Sequence, residues 1–103
     1  MHIAGIANLE PTSQTTVTSS GPSDVQTVDP PRDADAVAFT LESPPIRITF
    51  DGRRPSPSHG LKLSAPEHFF PFARQMKFAS VEQGREAIVS FLWLRLKPRE
   101  HKG

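Results

Sequence analysis

The chain has no cysteine, so neither a disulfide nor a thiolate metal site can brace it. It is also poor in apolar residues: at 36% hydrophobic it falls below the usual globular level, and what it has is concentrated after residue 34. Nowhere is there an apolar run long enough to span a bilayer, and Met1 to Ala7 lacks the basic start and long apolar stretch of a secretion signal. The expectation is therefore a soluble, intracellularly made protein. No glycine-rich loop of the phosphate-cradling kind is present. Gly52 and Gly60 bracket one loop, where each serves most simply as a turn. With 103 residues a single domain is expected. A core of that size supplies only about 3–5 kcal/mol, and such modules often lean on oligomerisation or on docking to something larger.

What is present is organised around Pro44-Pro45-Ile46-Arg47-Ile48-Thr49-Phe50-Asp51-Gly52. Ile46, Ile48 and Phe50 alternate with Arg47 and Thr49, the period-2 pattern of a strand with one face in a core and one in water. Charge is divided along the chain. Residues 1–44 carry one base against six acids, net −5, and residues 45–103 carry eleven bases against five acids, net +6. The two halves can attract one another, within one copy or between neighbours.

Residues 1–33 read as an extended polar arm. Pro11 to Ser20 is PTSQTTVTSS, and Gly21-Pro22 and Asp29-Pro30-Pro31 break whatever surrounds them. Such a segment cannot bury enough surface to offset its ordering entropy, so it is expected to order only against a partner. Val25 to Val28 is a candidate short strand within it. Residues 34–97 read as the body. Val37, Phe39 and Leu41 alternate with Ala36, Ala38 and Thr40, and Ser43-Pro44-Pro45 separates that strand from the next. The two are expected to be antiparallel neighbours, with a crossing between two sheets as the alternative. The loop DGRRPSPSHG over residues 51–60 leads to a short strand at Leu61 to Leu63. Glu67 to Phe72 follows as an edge strand or extended plug for one end of the core, then a strand at Gln75 to Ala79 and a turn over Ser80 to Arg85.

Glu86 to Leu96 fits two patterns. Ile88, Phe91, Leu92 and Arg95 suit a helix face, while Val89, Phe91 and Trp93 opposite Ile88, Leu92, Leu94 and Leu96 suit a strand apolar on both faces. Its β-branched and aromatic content favours the strand. A strand of that kind must be covered twice, once by its own core and once by the arm or a second subunit. Ile88, Leu92, Trp93 and Leu94 are accordingly the candidate assembly contacts. Residues 98–103 read as a polar tail. The fold expected is all-β, a small antiparallel β-sandwich or barrel-like body with a long extended N-terminal arm.

Little here points to chemistry. Of His2, His59, His68 and His101, only His68 has a potential ligand beside it, Glu67, and adjacent strand residues point to opposite faces. Ser58, His59 and Asp51 supply the residue types of a nucleophilic triad without a nucleophile elbow. No catalytic, metal or cofactor site is expected, and no enzyme. The one functional signal in composition is basic: Arg47, Arg53, Arg54 and Lys62, extended by Arg74 and Lys77. The preferred partner for that face is an acidic protein surface, including the acidic arm of a neighbouring copy, with an ordinary solvated face as the alternative. Nucleic acid is the lesser reading, since the aromatics that usually accompany such charge sit at core positions.

Several of these segments together resemble small structural proteins of tailed bacteriophages. The resemblance is carried by the run Ala36 to Phe50 followed by Asp51-Gly52, the Pro/Ser loop after it, His59-Gly60-Leu61, the aromatic-plus-proline segment, Met76-Lys77-Phe78 and the closing run Ala87 to Trp93. It covers residues 34–95 and leaves the arm unmatched. What it implies is a β-sandwich-like virion protein, assembled in the bacterial host: a capsid decoration or cement subunit, oligomeric, binding the major capsid protein, or alternatively a neck- or tail-associated protein. Phe69-Phe70-Pro71-Phe72 and Arg53-Arg54 depart from that pattern. An independent module that binds nucleic acid or a host protein through Arg47, Arg53 and Arg54 is the other class of reading.

Overall fold

The computed structural model describes residues 8–42 and 45–97. Residues 1–7 of the expected arm, with His2, the Ser43-Pro44 break, and the expected tail over 98–103, with His101, lie outside the described residues. Eight strands follow in order: β1 (Leu9–Ser19), β2 (Gln26–Val28), β3 (Ala36–Glu42), β4 (Ile46–Thr49), β5 (Leu61–Leu63), β6 (Glu67–Phe70), β7 (Met76–Ser80) and β8 (Ala87–Leu96). Among the described residues there is no helix. The strands form two four-stranded antiparallel sheets, sheet A in the order β1-β8-β3-β6 and sheet B in the order β2-β7-β4-β5.

The pairing follows one rule. Strands whose numbers sum to nine are hydrogen-bonded, β1 to β8, β2 to β7, β3 to β6 and β4 to β5, and β3·β8 and β4·β7 join these pairs into sheets. This is a long antiparallel hairpin wound into two layers, the jelly-roll arrangement. It corrects the expectation that β3 and β4 are neighbours: they lie in different sheets, and the chain crosses from one layer to the other between them. Prolines at that junction cannot donate to a hairpin ladder, which favours a crossing over a tight two-strand turn.

Alternation decides what lies between the layers. Val37, Phe39 and Leu41 of β3 and Ala87, Val89, Phe91 and Trp93 of β8 face Val28, Ile46, Ile48, Met76 and Phe78 of sheet B in one core. Aromatic rings form its centre, with Phe39 5.4 Å from Phe91, Phe91 stacked on Trp93 at 5.8 Å and Phe78 6.0 Å from Phe91. The helix alternative for residues 86–96 is excluded, because β8 is bonded on both sides and interior to its sheet. Phe50 continues the alternation of Ile46 and Ile48 but is only half-buried. It meets Phe70 and Phe72 edge-on at 5.2 Å in an aromatic cluster that closes one end of the core.

The polar segment read as an arm is, over its described part, a member of both sheets. β1 pairs with β8 from Leu9↔Leu96 to Ser19↔Ala87, and β2 pairs with β7. A strand at the edge of a sheet, bonded on one side, needs β-propensity more than hydrophobicity, and threonine supplies it. The inward positions opposite the β8 core residues are Ser13, Thr15, Val17 and Ser19. Thr15 accepts the Trp93 indole N–H at 3.2 Å, so this row satisfies the polar handle of a buried tryptophan. The register shifts between Pro11 and Ser13. Proline and such an irregularity on an exposed edge hinder pairing with another chain.

Candidate functional site

Two outward faces, one per sheet, hold the residues that sequence singled out. On sheet A the rows running outward are set by register: Glu42 beside Ile88 beside Thr18, Thr40 beside Ser90 beside Thr16, Ala38 beside Leu92 beside Gln14, and Ala36 beside Leu94 beside Pro11. Across the other edge of β3, Glu67 joins the Thr40 row and Phe69 the Ala38 row. The result is an open groove of about 690 Å³ with Ala38, Phe69, Leu92 and Leu94 as its apolar floor and hydroxyl or amide groups along it. Thr16 and Ser90 are hydrogen-bonded across it at 3.3 Å.

Of the four candidate assembly residues, Ile88, Leu92 and Leu94 share this face and Trp93 does not. Ile88 and Leu92 are half-buried and Leu94 is 8% exposed, while Trp93 is 1% exposed on the opposite, inward side. Strand alternation required that split, and the pattern of residues 88–94 contained it. What sequence did not reveal is the contribution of Gln14 and Thr16 from the polar segment and of Phe69 from the aromatic one. The only signal for the first two is the threonine content of residues 12–18.

On sheet B, Arg47 and Lys62 stand directly opposite on β4 and β5, and Thr49 stands opposite Lys77 on β7. Since Ile46 and Ile48 are fully buried, Arg47, Thr49, Lys62 and Lys77 all point outward. The loop over residues 51–60 folds back onto this face. Gly60 has φ +117°, and a Cβ there would lie 3.0 Å from the Ile48 carbonyl and 3.1 Å from Arg47 Cγ, so only glycine fits. Thr49 Oγ1 donates to the Arg53 carbonyl at 2.6 Å, Pro55 is buried, and Ser56 and His59 exchange backbone hydrogen bonds of 2.9 and 3.0 Å. Arg53 and Arg54 are thereby carried to the same face as Arg47 and Lys62, with Arg54 Nη2 donating to the Ser23 carbonyl at 3.0 Å. Arg74, by contrast, lies over the Phe72 ring, 5.2 Å from its centre.

Asp51 organises the start of the loop. Its carboxylate accepts the Arg53 N–H at 3.0 Å and lies 2.8 Å from His59 Nε2. The Arg53 backbone bond chiefly, then His59, hold its pKa below the ordinary carboxylate value. Asp24, in the turn between β1 and β2, is lowered in the same direction by the backbone N–H and hydroxyl of Ser20. Arg95 is raised by its bond to Glu10, 2.7 Å away across β1 and β8.

The other constellations stay apart. The Ser58 hydroxyl is bonded to that of Ser56 at 3.3 Å while the His59 ring bonds Asp51, so the Ser58 hydroxyl and the His59 ring do not form the serine-to-histidine bond of a triad. His68 stacks on Phe39 at 5.2 Å and bonds the Ala65 carbonyl. Among the described residues no three His, Asp or Glu side chains gather at metal-binding distance, and no helix is long and apolar enough to cross a membrane. Neither a protein-family model, nor a curated protein, nor a solved structure matches this chain.

Proposed function

We propose that this chain is a structural subunit that docks onto a protein of a larger assembly through the outer face of sheet A. The observation that carries the reading is the floor of that groove. Ala38, Phe69, Leu92 and Leu94 form one apolar surface on the side of the sheet away from the core, where a free-standing domain has no use for them. Their rim of Gln14, Thr16, Thr40 and Ser90 is polar, with the Glu67 carboxylate at the β6 side, the composition of a protein contact with an apolar centre. β1 belongs to this surface, so the polar segment serves by lying along β8.

The finer reading is a decoration or cement subunit of a tailed bacteriophage particle, oligomeric and bound to the major capsid protein, with a neck- or tail-associated place as the alternative. Support for it is of two kinds. The resemblance of residues 34–95 to small virion proteins is one. The sandwich-like jelly-roll winding is the other, an arrangement that viral capsid domains also use, and there the argument is analogy of fold.

Leu92→Glu tests the docking face. Leu92 is half-buried in the groove floor, so the variant should keep the cooperative unfolding of the parent while losing association, whether with itself or with purified particles. Unchanged association in a folded variant would sink the proposal.

A further inference from the structure

We infer that the outer face of sheet B is a second interaction surface, one that binds the phosphate backbone of a nucleic acid without reading its sequence. It is independent of the docking face on sheet A.

Three adjacent strands each contribute one cation. Lys62 on β5, Arg47 on β4 and Lys77 on β7 run across the sheet, with Lys62 and Arg47 in direct register and Lys77 one row further along. At a strand spacing of about 4.8 Å, the three span about 10 Å. Like charges placed directly opposite on neighbouring strands repel one another. No carboxylate pairs with any of these three among the described residues, where the ion pairs of Lys or Arg are Arg53–Asp51, Arg85–Glu82 and Arg95–Glu10. Nearby acids are already engaged: Asp51 by His59 and the Arg53 N–H, Asp29 by Gln75, and Asp24 by Ser20 and Gln26.

The loop adds to the stripe in a fixed place. Thr49 holds the Arg53 carbonyl and stands opposite Lys77, so the anchor that fixes Arg53 lies beside Lys77. The Arg53 side chain remains 76% exposed, and its nearest carboxylate oxygen is 4.0 Å away. The backbone positions that carry the cations are thereby fixed by the sheet and the anchored loop, and what remains to be ordered on binding is the side chains themselves.

The choice between nucleic acid and an acidic protein turns on what lies between the cations. A protein contact has an apolar centre from which charge is depleted. Here the outward positions between Arg47 and Lys77 are Ala79 and Thr49, 3% and 4% exposed, and neither offers surface. A cationic face without an apolar centre is the character of a phosphate-binding surface, which is polar and strongly positive. No aromatic ring stands among these outward positions, so bases have nothing to stack on and the contact is to the backbone.

The test is a salt titration of the full chain against a labelled duplex of about 20 base pairs, in two unrelated sequences. Three to four phosphate contacts give an affinity that falls about 40- to 150-fold between 50 and 200 mM salt. Lys62→Gln, Lys77→Gln and Arg53→Gln should each reduce the slope of log affinity against log salt by roughly one, equally for both sequences. Thermal unfolding of these variants checks that the fold is kept. Binding that is absent, independent of salt, or unaffected by the variants overturns the inference. So does tighter binding of a polyglutamate peptide than of the duplex, which would assign the face to an acidic protein. Leu92→Glu leaves this surface intact, so the outcome is separate from that of the docking test.

Discussion

The hydroxyl of Ser19, at the end of β1 in sheet A, accepts the backbone N–H of Ser80, at the end of β7 in sheet B, at 2.9 Å. Both residues are buried, and the Ser19 oxygen in turn donates to the Asp24 carbonyl at 2.7 Å. One small side chain thus ties the two layers together and closes the turn between β1 and β2. Ser19→Ala removes the acceptor and leaves a buried N–H without a partner. The expected loss is about 1–3 kcal/mol by urea denaturation. A loss within error of zero would mean that Ser80 finds another acceptor.

The polar segment carries a second prediction. β1 covers one side of β8 along its whole length, and Thr15 takes the indole proton of Trp93. A fragment that begins near Ala34 should therefore fail to fold, with Trp93 emission shifted to the red. Cooperative unfolding of that fragment would show that the two remaining strands of sheet A suffice to hold β8.

The aromatic centre and the aromatic end should respond differently to truncation. Phe39 is 2% exposed and touches Phe70, Phe91 and His68, so Phe39→Ala is expected to cost about 3–5 kcal/mol. Phe50 lies half-buried in the terminal cluster, and Phe50→Ala should cost about 1–2 kcal/mol, in proportion to the area it hides. Equal losses would place Phe50 in the core proper.

Most of the body was legible because alternation is a local signal. Val37, Phe39 and Leu41, then Ile46 and Ile48, then Val89, Phe91 and Trp93 each declare an inward face within one strand. The polar segment gave no such signal. The inward row of β1 is Ser13, Thr15, Val17 and Ser19, and the hydroxyls of Thr15 and Ser19 accept an indole and a backbone N–H more than sixty residues away. No local pattern encodes a partner at that distance. The β3–β4 junction was ambiguous for a related reason, since the same prolines permit a turn or a crossing and only β7 and β8 decide which. The candidate surfaces split likewise. Arg47 and Lys62 were visible as charge, but their common row depends on register, and the groove on sheet A depends on Gln14, Thr16 and Phe69 arriving from two other strands.

Acid should loosen the basic face by releasing its loop. The Asp51 carboxylate is held below its ordinary pKa by the Arg53 N–H and by His59, so the folded loop favours the ionised form. A group whose pKa is lowered on folding contributes stability above its unfolded pKa, and that contribution is lost as pH falls through the folded value. Protection factors of the Arg53 and His59 amides, that is, their exchange relative to the intrinsic rate at each pH, should therefore fall on acidification from the ordinary carboxylate range downward, while amides of β8 stay protected. Asp51→Asn keeps an oxygen that can accept the Arg53 N–H but removes the charge. Its loop should remain closed over that range with a flatter response to pH. If the asparagine variant opens at the same pH as the parent, some other group controls the loop.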